Sequence, residues 1–233
     1  MNSIIQQISI NAIPIILAIV LHEIAHGWVA YRLGDPTAKQ MGRLTLNPIA
    51  HIDIVGTVIL PLVLILTGSG FVFAYAKPVP VNFSNLRRPK EDMVWVAGAG
   101  PLTNILIAGV SAIIFRLIFY INPELVGYIV DPYRLFSRGG LEVSIMVPIA
   151  LMLLASVRLN ILLAVINLIP IPPADGGRIL VGLLPYRQAI AYSKIEPIGM
   201  FLLFFLLFFD PLKIFSHIIW PIIGTMIKLF LWW

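Results

Sequence analysis

The chain has 233 residues, 59% of them hydrophobic and 12% charged, with a mean hydropathy of +0.96. A soluble domain carries about a quarter charged residues, so this composition points to a single membrane domain of several spans, with no polar stretch long enough for a separate soluble one. Cysteine is absent, which excludes disulfides, thiolate metal sites and cysteine nucleophiles; the net charge of +5 is scattered between apolar runs, as in basic membrane loops and not as in a nucleic-acid surface.

Five apolar stretches follow one another along the chain. The first, Ile4–Tyr31, is long enough to span a bilayer and carries Leu21-His22-Glu23-Ile24-Ala25-His26-Gly27 towards its C-terminal end. On a helix, His22 and His26 lie one turn apart on one face, the spacing that lets two imidazoles share one zinc ion. Glu23 stands beside them, where it can take a proton from water activated by the metal, and the pattern is that of the zinc hydrolases, H-E-x-x-H. A chance polar helix face is the bland alternative. Unpartnered titratable groups between apolar flanks cost at least about 2.5 kcal/mol each, which favours the metal. The run from Ile8 to Leu21 has no Lys or Arg before it and leads straight into the motif, which argues against a cleaved signal peptide.

The second stretch, Ile54–Thr67, is only 14 residues and is interrupted by Pro61, which makes it suspect as a full crossing. On either side of it, Gly42–Pro48 and Phe71–Phe83 read as short strands or edge segments, and Pro78 and Pro80 suit an edge. His51 and Asp53 form either a solvated loop pair or a second layer of groups around the metal and its water path. The third stretch, Met93–Tyr120, spans with some tilt. Within it, Gly98-Ala99-Gly100-Pro101-Leu102-Thr103-Asn104 suits close helix packing, with a substrate-facing Asn104 as the alternative.

The fourth stretch, Val143–Leu168, contains Arg158 and runs into Asn167-Leu168-Ile169-Pro170-Ile171-Pro172-Pro173-Ala174-Asp175-Gly176-Gly177. The prolines end the helix near Leu168, and Gly176-Gly177 permits a sharp turn, so the Asp175 carboxylate is presented off the helix end. Alone, Asp175 would be a turn aspartate. If it meets His22 and His26, the first and fourth stretches run in the same direction, with the third as the one crossing between them. Basic residues agree: Arg32, Lys39, Arg43, Lys77, Arg87, Arg88 and Lys90 precede the third stretch, whereas only Arg134 and Arg138 follow it. The positive-inside rule then puts the first group in the cytoplasm and the N-terminus outside. Asn167 either ties helices together or offers its amide to the substrate backbone or an oxyanion. The fifth stretch, Pro197–Trp233, is broken at Asp210-Pro211-Leu212-Lys213 into two short helices or a hairpin. It ends in a Trp232-Trp233 interface anchor, while His217 reads as a packing or interfacial residue and Phe201–Phe209 as lipid-facing surface.

His22–His26 together with Asn167–Gly177 resemble the site-2 protease family of intramembrane zinc metalloproteases, whose patterns are H-E-x-x-H and N-x-x-P-x-P-x-x-D-G. Gly42–Gly56, Ala76–Asn82 and Gly98–Asn104 extend the resemblance over the first 185 residues or so, in the compact prokaryotic form without PDZ or CBS domains. Ala174 stands where leucine is common, a change of packing and not of chemistry. The resemblance implies one zinc ion held by His22, His26 and Asp175, with Glu23 as general base and a membrane-spanning protein as substrate. It implies an all-α polytopic fold, with a three-span catalytic core over 1–185, a short re-entrant or β-like segment after the first span, and C-terminal membrane helices over 186–233. A zinc-binding transporter or a non-catalytic scaffold is the competing reading. A permeation site needs no positioned base, and a scaffold needs no complete ligand set.

Overall fold

A computed structural model describes residues 2–59, 63, 66, 76–130 and 141–232. Among the described residues the regular structure is helical and no strand occurs. The α-helices are α1 (Asn2–Leu33), α2 (Thr37–Gln40), α3 (Pro89–Ile121), α4 (Leu125–Val130), α5 (Leu141–Asn167), α6 (Asp175–Leu183), α7 (Tyr186–Ser193), α8 (Glu196–Phe209) and α9 (Trp220–Leu231). Three stretches, Ile8–Leu33, Pro89–Ile121 and Val143–Asn167, are long and apolar enough to cross a membrane, as an all-α polytopic chain requires. Pro14, Pro101 and Pro148 lie inside them, a placement membrane helices tolerate.

The chain divides into two compact units. One comprises Met1–Ala18, Pro101–Ile169 and Ile198–Trp233. Its core joins Ala108, Ala112 and Phe115 of α3 to Ala150, Val157, Ile161 and Val165 of α5 and to Ile223 and Leu231 of α9. Small residues one turn apart let helix backbones approach closely, the usual device where lipid removes the hydrophobic drive between helices. A buried polar ladder adds directional bonds: Asn104 Nδ2 donates to the Ala18 carbonyl at 3.2 Å and to Asn160 Oδ1 at 2.7 Å, and Ser111 Oγ pairs with Ser156 Oγ at 2.8 Å. The break after α8 is a tight turn between two helical segments. Asp210 and Lys213 have positive φ, and the Asp210 carboxylate accepts from the Phe215 and Ser216 N–H groups.

The other unit comprises Ile19–Gly100 and Pro170–Pro197. Ala30, Leu86 and Val96 form its small apolar core, lined by Val29, Leu33, Val81 and Phe83. Helix α1 ends on Gly34 (φ +120°), with the Asp35 N–H bonded to the Ala30 carbonyl at 2.9 Å, the left-handed stop that glycine allows. Asp35, fully buried, then accepts from the Thr37 N–H and hydroxyl, the Asn85 amide and the Asn82 N–H. Burial pushes its carboxyl up, but the Thr37 and Asn85 side-chain bonds and the backbone donors outweigh this and hold it below the usual range.

The strand expectation is not met where it can be inspected. Gly42–Pro48 forms turns and bends, and Ala76–Asn82 is irregular, without a strand partner among the described residues; Phe71–Tyr75 lie outside them. The physical reason lies in the hydrogen bonds of 77–82, whose N–H groups go to the His51 carbonyl and to the carboxylates of Glu23 and Asp35 instead of to a neighbouring strand. Of the second apolar stretch, Ile54–Ile59 is a π-helical segment, and residues 60–62, 64, 65 and 67 lie outside the description.

Candidate metal centre

The two histidines project from one face of α1, and their rings meet edge to face with centroids 4.7 Å apart. His26 Nδ1 lies 2.7 Å from the Val96 carbonyl. A carbonyl can only accept, so Nδ1 carries the proton and the Nε2 lone pair of neutral His26 faces inward. There it meets His22 Nε2 at 3.0 Å. Asp175, the first residue of α6, completes the group: its Oδ2 lies 3.2 Å from His22 Nε2 and its Oδ1 3.3 Å from His26 Nε2. All three residues are buried, and one ligand atom from each lies within 4.8 Å of the others.

The inward lone pair of His26 and the Asp175 carboxylate face one another, and a cation between them, a proton or a metal ion, relieves their repulsion. Asp175 Oδ2 is buried without an aligned donor, although His22 Nε2 is near it. Four ligands at about 2.0–2.1 Å from a tetrahedral zinc lie about 3.3 Å apart, close to the separations found here. Two imidazoles and one carboxylate also suit zinc better than the all-oxygen shells of calcium or magnesium. The residues present therefore fit the metal.

Space for the imidazoles comes from Gly100 on α3, where a Cβ would stand 2.4 Å from His26 Nε2 and 2.6 Å from His22 Nε2. Sequence reasoning grouped Gly100 with helix packing and missed this role, whose one signal was the run of small residues from Gly98 to Gly100. Val96, the carbonyl that orients His26, had no signal in the sequence. At the other face, Gly177 lies so close to Pro172 that a Cβ would reach its nitrogen at 2.2 Å. The sharp turn expected at Gly176-Gly177 is absent, because both glycines lie in the first turn of α6; close approach, not a positive φ, requires a glycine at 177.

Glu23 is half-buried, and its Oε2 accepts the Val79 N–H at 2.7 Å. His51 is buried with Nε2 2.9 Å from the Thr45 carbonyl, which ties the 45–51 turn together. Asp53 caps the segment after it through Gly56. Asn104 and Asn167 belong to the other unit. There Asn104 serves the helix ladder, and the Asn167 amide donates back to the Leu163 carbonyl one turn earlier at 3.0 Å.

The chain matches the model of peptidase family M50 over residues 10–209. It is 34% identical over 222 residues to the Bacillus subtilis (strain 168) protein named "Putative zinc metalloprotease YwhC", covering 94% of this chain and 89% of that one. It is 28% identical over 192 residues to the Mycobacterium tuberculosis (strain ATCC 25618 / H37Rv) protein named "Putative zinc metalloprotease Rip2", covering 82% of this chain and 62% of that one. No solved structure matches it. A family match over most of its length, converging on the buried histidine pair and carboxylate of a multi-pass membrane chain, shows that the protein belongs to peptidase family M50.

Proposed function

We propose that the protein is an intramembrane zinc endopeptidase, which hydrolyses peptide bonds of membrane-spanning proteins near the cytoplasmic face. As a member of its family it is a zinc metalloendopeptidase, and its setting is the lipid bilayer. In our reading His22, His26 and Asp175 hold the metal and Glu23 is the general base, within a catalytic core of residues 1–185. The observation that carries this reading is the convergence of three ligand atoms from buried residues of α1 and of the start of α6, all within 4.8 Å of one another.

Zinc bound there supplies Lewis acidity, which activates water near neutral pH and polarises the scissile carbonyl. The protein's own part is orientation and proton transfer. The Val96 carbonyl fixes the His26 tautomer so that Nε2 stays available as a ligand. The Val79 N–H holds Glu23 Oε2, which leaves Oε1 to accept the proton of the attacking water and later release it to the leaving amine. A peptide bond within a helix is shielded by its own hydrogen bonds, so the substrate must unwind locally before attack.

Glu23→Gln tests this assignment. Purified full-length enzyme should keep one zinc per chain and lose cleavage of a membrane-spanning substrate by at least the hundredfold expected of a general base, about 10²–10⁴. Cleavage at the wild-type rate would remove Glu23 from the mechanism, and ion flux through the variant in vesicles would favour a transporter.

A further inference from the structure

Arg43 is buried, 8% exposed, and among the described residues no carboxylate pairs with it. A buried guanidinium without a counter-charge is costly, so what it grips deserves a physical reason. Its Nη2 donates to the Lys77 carbonyl at 2.9 Å and, more weakly, to the Pro78 carbonyl at 3.4 Å. Both carbonyls belong to the strap Lys77-Pro78-Val79-Pro80-Val81-Asn82.

The strap is held at several other points. The Lys77 N–H donates to the His51 carbonyl at 2.9 Å, the Val79 N–H to Glu23 Oε2 at 2.7 Å, and the Asn82 N–H to Asp35 Oδ2 at 2.7 Å. Pro78 and Pro80 have no N–H and restrict φ, which stiffens the chain on both sides of Val79. Gly27, the residue after His26, lets the strap lie close: a Cβ there would stand 2.7 Å from both Val79 Cγ1 and Leu44 Cδ2. Pro78 C=O and Val79 N–H are the two ends of one planar peptide group, whose oxygen and hydrogen point in opposite directions. Arg43 therefore holds one end of the peptide plane whose other end holds Glu23. Its charge on the carbonyl also polarises the amide and strengthens the bond to the carboxylate.

We propose that Arg43 is a positioning residue for peptide hydrolysis: by gripping the Lys77 and Pro78 carbonyls, it keeps the Val79 N–H on Glu23 and the base aimed. This rests on the reading of Glu23 as general base. Arginine is the residue suited to the task, since its planar fork stays charged when buried and can serve two acceptors.

The test compares full-length wild type with Arg43→Gln and Arg43→Lys in detergent, measuring zinc content, amide hydrogen exchange across 77–82, and kcat and KM on a membrane-spanning model substrate. For Arg43→Gln we expect wild-type zinc content, faster exchange in 77–82, and kcat per zinc reduced on the order of tenfold to a hundredfold, with KM within about twofold. Arg43→Lys should fall between the two. A purely structural role would instead lower zinc content and soluble yield together while leaving kcat per zinc unchanged, and that result overturns the proposal. Unchanged exchange in 77–82 overturns it as well. Should Arg43→Gln not fold, Arg43→Lys decides: lowered kcat at wild-type KM supports the proposal, and wild-type kcat refutes it. Failure of the underlying reading shows separately, as a Glu23→Gln enzyme that still cleaves, with no Arg43 variant involved.

Discussion

A methyl group added at residue 100 would occupy the space that the two imidazole nitrogens need, and this makes Gly100 the most exposed weakness of the metal centre at the scale of single residues. The obstruction comes from the middle of α3, a 33-residue helix, where the atoms met are side-chain atoms of His22 and His26. For Gly100→Ala we expect a zinc affinity lower by about 10–100-fold, the effect of misplacing ligands through their supports. Competition with a chromophoric chelator measures it; wild-type affinity would mean that α3 shifts freely away from α1. The histidine pair that we propose as ligands was legible in the sequence, because H-E-x-x-H compresses its spacing and the proposed base into five residues of one helix. Gly100 and the Val96 carbonyl were not. A glycine's value as empty space depends on what another helix brings against it, and a backbone carbonyl has no residue-type signature.

At the scale of elements, the long helices follow directly from apolar length, and the short ones do not. Pro170, Pro172 and Pro173 marked the end of α5, but nothing local said that Gly176 and Gly177 would continue into α6, since glycine disfavours helix and suits turns equally well. The 77–82 strap misled for a related reason. Its alternating apolar and proline residues suit an edge strand, yet its donors are taken by carboxylates from distant parts of the chain, which no local pattern reveals. Asp35 is one of the anchors of that strap. Because its folded-state pKa lies below the ordinary value near 4, its contribution is fully present above that value and is lost as pH falls through the folded pKa. Asp35→Asn should therefore destabilise the protein at pH 7 by about 1–3 kcal/mol, the range for a charged group's hydrogen bonds, and the deficit should narrow as pH falls below about 4. Thermal unfolding in detergent across that range checks it. A deficit that persists unchanged in acid would mean that shape, not charge, holds the strap.

For the whole molecule, topology decides which compartment supplies water and receives product. Seven basic residues, from Arg32 to Lys90, lie between the end of the first apolar stretch and the third, against two, Arg134 and Arg138, between the third and the fourth. Asymmetry of this size in short loops orients a multi-span chain with its basic loops in the cytoplasm. α3 starts at Pro89 and ends at Ile121, so a single crossing must place Met41 and Glu124 on opposite faces. Both are exposed, and the chain has no cysteine of its own, which makes single substitutions clean reporters. A membrane-impermeant maleimide should label Met41→Cys in inside-out vesicles and Glu124→Cys in right-side-out ones. The reverse pattern would put the N-terminus in the cytoplasm and move the proposed site of hydrolysis to the other face. Labelling of both from one side would remove the proposed single crossing between the first and fourth apolar stretches, and with it the shared direction that our reading of the metal site requires.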